Sequence, residues 1–421
     1  MKFGVGVSLG SVLLQLAGCD NAEIARPTEN LRRDPRGICD LPPGFEYSVL
    51  SQLNTRMTDG HLVPDYMDGM ACFSGPSEQL ILVRNHELPV YFPFNPPSPA
   101  PEYAYDPDTS GGTTTLWLNN RLEVTRQYLS HTGTIRNCGG GTTPWGTWIS
   151  CEEPGSAGWQ MGKRHGYNFE VDPQAPLQSA LPLTAMGRFN HEAIAVDPAT
   201  GWVYQTEDDM RGCFYRFIPN DPGELLQGGR LQALKFVDPA IKHTSEQTLT
   251  PNQAYPCTWV DIDEPDPADN TLALEAQAKG AAVFVRGEGM AVADAGIYFA
   301  CTNGGKLGKG QIFKYTPEPD SQTGNLELVY EVLTPGVLED PDNLTLSPWG
   351  DLIICEDNGL EQQCLMGLTP QGNLYTIAAN SQSEWAGACF SPRGDTLFAN
   401  IFSGPAMTLA IRGPWSSLRH A

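Results

Sequence analysis

The chain has 421 residues, with 49 Asp and Glu against 26 Lys and Arg, a formal charge of −23. That length holds one large domain or two ordinary ones, and hydrophobic residues at 40% with aromatics at 9% exclude wholesale disorder. So acidic a chain does not bind nucleic acid or anionic lipid through its general surface field, and 44 Gly with 35 Pro argue against a helical bundle.

Lys2 gives the N-terminus a short positive region, and Phe3 to Leu16 are mainly apolar but too short to span a bilayer comfortably. Leu16-Ala17-Gly18-Cys19 resembles a bacterial lipoprotein box. Residues 1–18 then read as a signal peptide, Cys19 as the lipid-attached residue, and 19–40 as a polar tether. Residues 41–421 form one domain. The expected location is the periplasm or cell surface, with membrane contact only through the anchor. Ten of the eleven cysteines remain once Cys19 is set aside. Cys72, Cys213, Cys301, Cys355 and Cys389 lie in or beside apolar runs and read as buried thiols.

Further along, one pattern recurs. It starts at Asp68 (DGMACFSGPSEQLILVRN), His191 (HEAIAVDPATGWVYQTED), Gly287 (GEGMAVADAGIYFACTNG), Asp342 (DNLTLSPWGDLIICEDN) and Glu384 (EWAGACFSPRGDTLFANI). A partial copy, GTTPWGTWISCEE, starts at Gly141. Each full copy is a short apolar strand, a turn often holding Pro or Gly, and a second apolar strand, which predicts β-hairpins. Roughly 60 residues per copy leaves room for the four strands of a propeller blade. The expected fold is all-β, a six-bladed β-propeller.

The two ends of an antiparallel hairpin lie together. First-strand leaders (Asp68, His191, Glu192, Glu288, Asp342, Asn343) and second-strand exits (Asn85, His86, Glu87, Cys151, Glu152, Glu153, Glu207, Asp208, Glu356, Asp357, Asn400) should meet at one mouth of the channel. So many carboxylates in a small volume call for cations. Hard oxygen donors suit Ca²⁺, and a thiolate suits a transition metal. Cys151 is as well explained by a buried thiol as by a ligand. His86 and His191 each precede a glutamate on a strand, so alternation turns them away from any ligand.

VRNHE (Val83 to Glu87), TPWGTWISCEE (Thr143 to Glu153), GRFNHEAIAVD (Gly187 to Asp197), RGEG (Arg286 to Gly289), Asp342-Asn343 and CEDNG (Cys355 to Gly359) together resemble the PhoX-type alkaline phosphatase family. The likeness runs over nearly the whole chain after about Asp34. It implies a monomeric propeller enzyme that hydrolyses small phosphomonoesters at two oxo-bridged Fe³⁺ ions with several Ca²⁺ nearby. It further implies that Cys151 ligates iron, that Glu192 and Glu288 ligate or bridge metals, and that Arg286 grips the phosphate. Glu87, Glu152, Glu153, Glu207, Asp208, Asn343, Glu356 and Asp357 are then candidates for the remaining metal positions. The leader lacks the twin-arginine pair of many family members, because Arg32-Arg33 lies beyond the apolar stretch. Two rival readings use the same acidic residues: a calcium-dependent lactonase of the gluconolactonase or regucalcin-like kind, and a calcium-binding propeller scaffold without turnover.

Overall fold

The structure, a computed structural model, describes residues 28–420 except 92–94, 295, 319–321 and 360–361. The leader, Cys19 and the first part of the tether lie outside the described residues. All the repeated segments fold as antiparallel hairpins, numbered here one to six. They are Met67–Ser74 with Leu80–His86, Asn137–Thr142 with Trp148–Glu152, and His191–Val196 with Val203–Glu207. Gly287–Ala293 with Gly296–Cys301, Pro341–Leu346 with Leu352–Glu356, and Trp385–Phe390 with Leu397–Ile401 complete the set. Glycine closes the Ser-Pro-x-Gly turns because the chain there needs a positive φ: Gly350 at 91° and Gly394 at 72°. Each donates its N–H back to the turn's serine carbonyl, at 3.0 and 2.7 Å.

The six leading strands touch one another in a closed cycle, one to two and so on round to six and back to one. Outer strands build each hairpin outward, and apolar residues between neighbouring sheets form the core. The arrangement is all-β and propeller-like. It differs from six separate sheets in one respect, since hairpins three and four belong to a single nine-stranded sheet. Ala254–Asp261 pairs on one side with Gly229–Phe236 and on the other with Gly324–Glu331. Two outer edges that would each present unpaired backbone groups are satisfied by one shared strand.

The two ends of the chain meet in the last sheet. Glu46–Gln52 pairs antiparallel with Met407–Arg412, outside hairpin six. The segment before it is no free tether: Cys39 and Leu41 are buried, Asp40 bridges to Ala379, and the Asp34 carboxylate accepts N–H groups of Arg36, Ile38 and Cys39. The folded body therefore begins upstream of residue 41. Among the described residues no helix is long and apolar enough to cross a membrane. All ten described cysteines are unpaired, and nine of them are buried.

Two features bring the leading strands close to the axis. Every hairpin has a register irregularity near the start of its leading strand, for example between Met67 and Met70, Asn137 and Gly140, and Gly287 and Met290. Such bulges re-aim side chains and often sit beside functional sites. The third residue of the strand is glycine in hairpins one, two, four and six. A Cβ on Gly69 would lie 2.6 Å from Gly139 O, and one on Gly139 2.6 Å from Glu192 O. One on Gly289 would lie 2.6 Å from Asp342 O. Only glycine lets neighbouring blades approach this closely at the axis.

Candidate metal centre

The hairpins set a position rule. The second residue of the leading strand is Asp68, Cys138, Glu192, Glu288, Asp342 and Ala386 in hairpins one to six. The bulge turns these side chains into the mouth of the channel. Five of the six carry a metal-ligating group, and they fall into groups whose donor atoms lie within 4.8 Å of one another. Asp68, Cys138 and Glu192 form one group, and Glu192, Glu288 and Asp342 another. The third joins Cys138 to Glu87 and Glu153, which directly follow the second strands of hairpins one and two.

That exit position is also repeated. In each hairpin its N–H donates to the carbonyl of the residue before the leading strand: Glu87 to Tyr66, Glu153 to Arg136 and Asp208 to Asn190 at 2.9, 3.0 and 3.0 Å. Thr302 to Arg286, Asp357 to Asp340 and Phe402 to Glu384 follow at 3.0, 3.1 and 3.2 Å. Exit residues thus stand in a ring around the second-position residues. Asp357 raises the Asp342 carboxyl and hydrogen-bonds Glu384, so it too belongs to the mouth.

The last residue of each second strand points the other way. Glu152 accepts N–H groups of Ile135, Gly166 and Tyr167 at 3.0, 2.8 and 3.3 Å and pairs with the buried His165 at 2.8 Å. Glu207 accepts Cys213 N–H at 2.9 Å and the Tyr215 hydroxyl at 2.6 Å. Glu356 accepts Glu339 N–H at 2.9 Å and Cys364 N–H at 3.0 Å. These three candidates hold loop backbones and join none of the clusters. Glu356→Ala should therefore cost about 2–4 kcal/mol of stability by stranding two buried donors. Metal content and turnover below the melting temperature should be unchanged, which a thermal melt and metal analysis of the same sample would check.

Cys151 is likewise placed elsewhere. It is fully buried in an apolar cluster with Ile149, Phe189 and Ile194, and takes part in none of the three donor groups. Cys138 stands where the sequence reading put Cys151. The signal that finds it is the repeat itself, since Asn137-Cys138 occupies the place of His191-Glu192 and Gly287-Glu288. Asp68 and Asp342 enter the clusters by the same rule. Asn343 lies beside them, its amide donating to Asp342 at 3.0 Å and its oxygen accepting Gly387 N–H at 2.5 Å. His86 and His191 face away as alternation requires, bonded to Asp65 O and Gly187 O at 2.9 Å each.

Of seven carboxylates at this mouth (Asp68, Glu87, Glu153, Glu192, Asp208, Glu288 and Asp342), four pair directly with two guanidiniums. Arg136 bridges Glu87 at 2.5 Å and Glu153. Arg286 holds Asp208 through two bonds of 2.7 and 2.9 Å and Glu288 at 3.0 Å. Burial first, then neighbouring carboxylates, push Asp68, Glu192 and Glu288 well above the usual carboxylate range. Burial raises Asp342 to about 7, with Asp357 adding to it. Asp68 Oδ1 is buried with no hydrogen-bond partner among the described residues. An orphaned buried oxygen among converging carboxylates and a thiol is a donor set that fits cations.

Residues 27–127 and 110–404 match the family described as alkaline phosphatase PhoX. The chain belongs to the PhoX alkaline phosphatase family. Among solved structures, Pseudomonas fluorescens PhoX in complex with vanadate, a transition-state analogue, is 20% identical. That match covers 90% of this chain and 96% of that one at a TM-score of 0.68, which supports the propeller-like fold. A gluconolactonase from Xanthomonas campestris is 13% identical, covering 89% and 98% at 0.44. No curated protein matches the chain. Family membership makes this a phosphatase of a metal-dependent family, and the hairpins assemble donor groups whose chemistry fits metal ions.

Proposed function

We propose that this chain is an exported, lipid-anchored alkaline phosphatase that hydrolyses small phosphomonoesters at an iron–calcium cluster in the mouth of a six-bladed propeller. The observation that carries the reading is the convergence of Asp68, Cys138, Glu192, Glu288 and Asp342 from five hairpins, with Asp68 Oδ1 left without a hydrogen-bond partner among the described residues. Residues 1–18 would be the signal peptide and Cys19 the site of lipid attachment.

A phosphomonoester dianion does not approach bare carboxylates, so the cluster must be neutralised before substrate binds. Cys138 supplies the soft donor that draws a transition metal such as iron. Glu192, Glu288 and Asp342 supply an all-oxygen set suited to calcium, and Glu87 and Glu153 extend the Cys138 side. Once bound, such ions polarise phosphoryl oxygens and offset charge on the leaving group. Arg286 is already oriented by Asp208, Glu288 and Asn303, so its remaining Nη1 N–H is held ready for a phosphoryl oxygen at little further entropic cost. Asn343 keeps the Asp342 carboxylate in register through its amide.

Metal analysis of the protein from its native host, paired with a p-nitrophenyl phosphate assay, tests this. The expected result is iron together with calcium, and hydrolysis at alkaline pH that chelators abolish. Calcium without any transition metal, and no phosphoester hydrolysis, would overturn the reading in favour of a lactonase or a calcium-binding scaffold.

A further inference from the structure

The residue just before each leading strand forms a third ring at the mouth: Tyr66, Arg136, Asn190, Arg286, Asp340 and Glu384. Four of these hold a left-handed backbone, with φ of 51° at Tyr66, 39° at Arg136, 50° at Arg286 and 48° at Asp340. Non-glycine residues adopt that conformation at a cost, and it persists where surrounding structure enforces it, often at functional sites. Here it lays the side chain against the exit of the preceding hairpin. Arg286 meets Asp208 beyond hairpin three, and Arg136 meets Glu87 beyond hairpin one. Tyr66 packs edge-on against Phe402 beyond hairpin six, with ring centroids 5.3 Å apart.

Arg136 and Arg286 are therefore the same position of the repeat, each with one carboxylate partner at the exit of the preceding hairpin. Their side chains are also equally exposed, at 31% and 32%. Arg136 uses Nε and Nη2 on Glu153 and Glu87, while its Nη1 makes no hydrogen bond among the described residues. The two pairs flank one continuous cluster: Cys138 groups with Glu87 and Glu153, held by Arg136, and with Glu192, which groups in turn with Glu288, held by Arg286.

We propose that Arg136 is a second guanidinium contacting the phosphoryl group at this mouth, reaching from hairpin two as Arg286 does from hairpin four. The inference rests on the phosphatase reading and deepens it. A phosphomonoester dianion carries three non-bridging oxygens, more than one guanidinium fork satisfies. The Nη1 N–H groups of Arg136 and Arg286, left over from their carboxylate contacts, supply donors from two hairpins. The competing role is that of a counter-ion for Glu87 and Glu153, which a lysine would also fill.

Arg136→Lys, Arg136→Gln, Arg286→Lys and the double lysine variant, each loaded with metal and checked for metal content, separate these roles. The expected result for Arg136→Lys is unchanged metal content and melting temperature, with kcat/KM for p-nitrophenyl phosphate lowered about 10-fold or more and inhibition by inorganic phosphate weakened similarly. The double variant should lose less than the product of the single losses, since both residues hold one phosphoryl group. Unchanged kcat/KM and phosphate inhibition in both Arg136 variants would overturn the proposal. So would losses that follow metal content alone and are restored by added metal. Calorimetry with inorganic phosphate keeps the two readings apart. A metal-loaded wild type that binds phosphate without turnover counts against the phosphatase reading, and equal phosphate affinity in wild type and both Arg136 variants counts against this one.

Discussion

Cys138→Ala is expected to strip the transition metal and lower phosphatase activity by at least about 100-fold, since losing even an outer partner of a metal ligand costs 10–100-fold. Cys151→Ala should keep metal and activity. The two cysteines are 13 residues apart and both buried, yet only Cys138 falls in the metal-donor groups. Cys138 lies within 4.8 Å of the donor atoms of Asp68 and Glu192 on one side and of Glu87 and Glu153 on the other. Cys151 packs among Ile149, Phe189 and Ile194, where truncation to alanine costs about 1 kcal/mol of packing. Burial pushes both thiols well above their ordinary pKa in the metal-free chain. Only Cys138 has a place for a cation that would reverse this by drawing off the proton. Metal content and any thiolate-to-metal absorption band, measured on both variants, would decide it. Loss of both in Cys151→Ala with retention in Cys138→Ala reverses the assignment.

Chelation should destabilise the protein, and increasingly so as the pH rises. Glu87 is raised to about 8 and Asp342 to about 7, with burial the leading cause in each, and burial also holds Asp68, Glu192 and Glu288 well above the usual carboxylate range. A carboxyl whose folded pKa lies above its unfolded value binds a proton in the folded chain that the unfolded chain releases. The contribution of these groups to the metal-free fold is therefore fully present below about pH 4 and is lost as the pH climbs through about 8. One pKa unit is about 1.4 kcal/mol, so several such groups together remove several kcal/mol. Cations held at the mouth offset that charge and add their own binding energy to the folded state. Melts from pH 5 to 8.5 should show the chelated protein falling steadily, to at least about 10 °C below the metal-loaded one at the alkaline end. A chelated protein whose melting temperature rises over that range would contradict the account.

Much of this site was legible in the chain. Alternating apolar runs and Pro/Gly turns are local, period-two signals, so five complete hairpins and the second strand of hairpin two, the all-β class and the gathering of Glu87, Glu153, Glu192, Asp208 and Glu288 at their ends follow from the residues. Asn137–Thr142 hid itself because NCGGGT has scarcely an apolar side chain to mark it as a strand. Its glycines serve close packing on hairpin three rather than hydrophobic burial, so Cys138 passed unseen. Consecutive acids posed the other difficulty. Glu152-Glu153 and Glu207-Asp208 read alike, but the strand ends between them, sending Glu152 to His165 and Glu207 to Tyr215 while Glu153 and Asp208 stay at the mouth.

The opening charge of −23 divides along the same line. From residues alone it follows that acidic groups recur at hairpin ends, because a strand's period and its turn residues are properties of adjacent positions. Which of them converge was decided by tertiary structure. Closing six leading strands into one ring, with a bulge in each hairpin and glycine contacts between blades, sets distances between residues that the chain keeps far apart. Close backbone approach between neighbouring blades at the axis, permitted by Gly139 and Gly289, and not any local preference, brings Cys138 to Glu192 and Glu288 to Asp342.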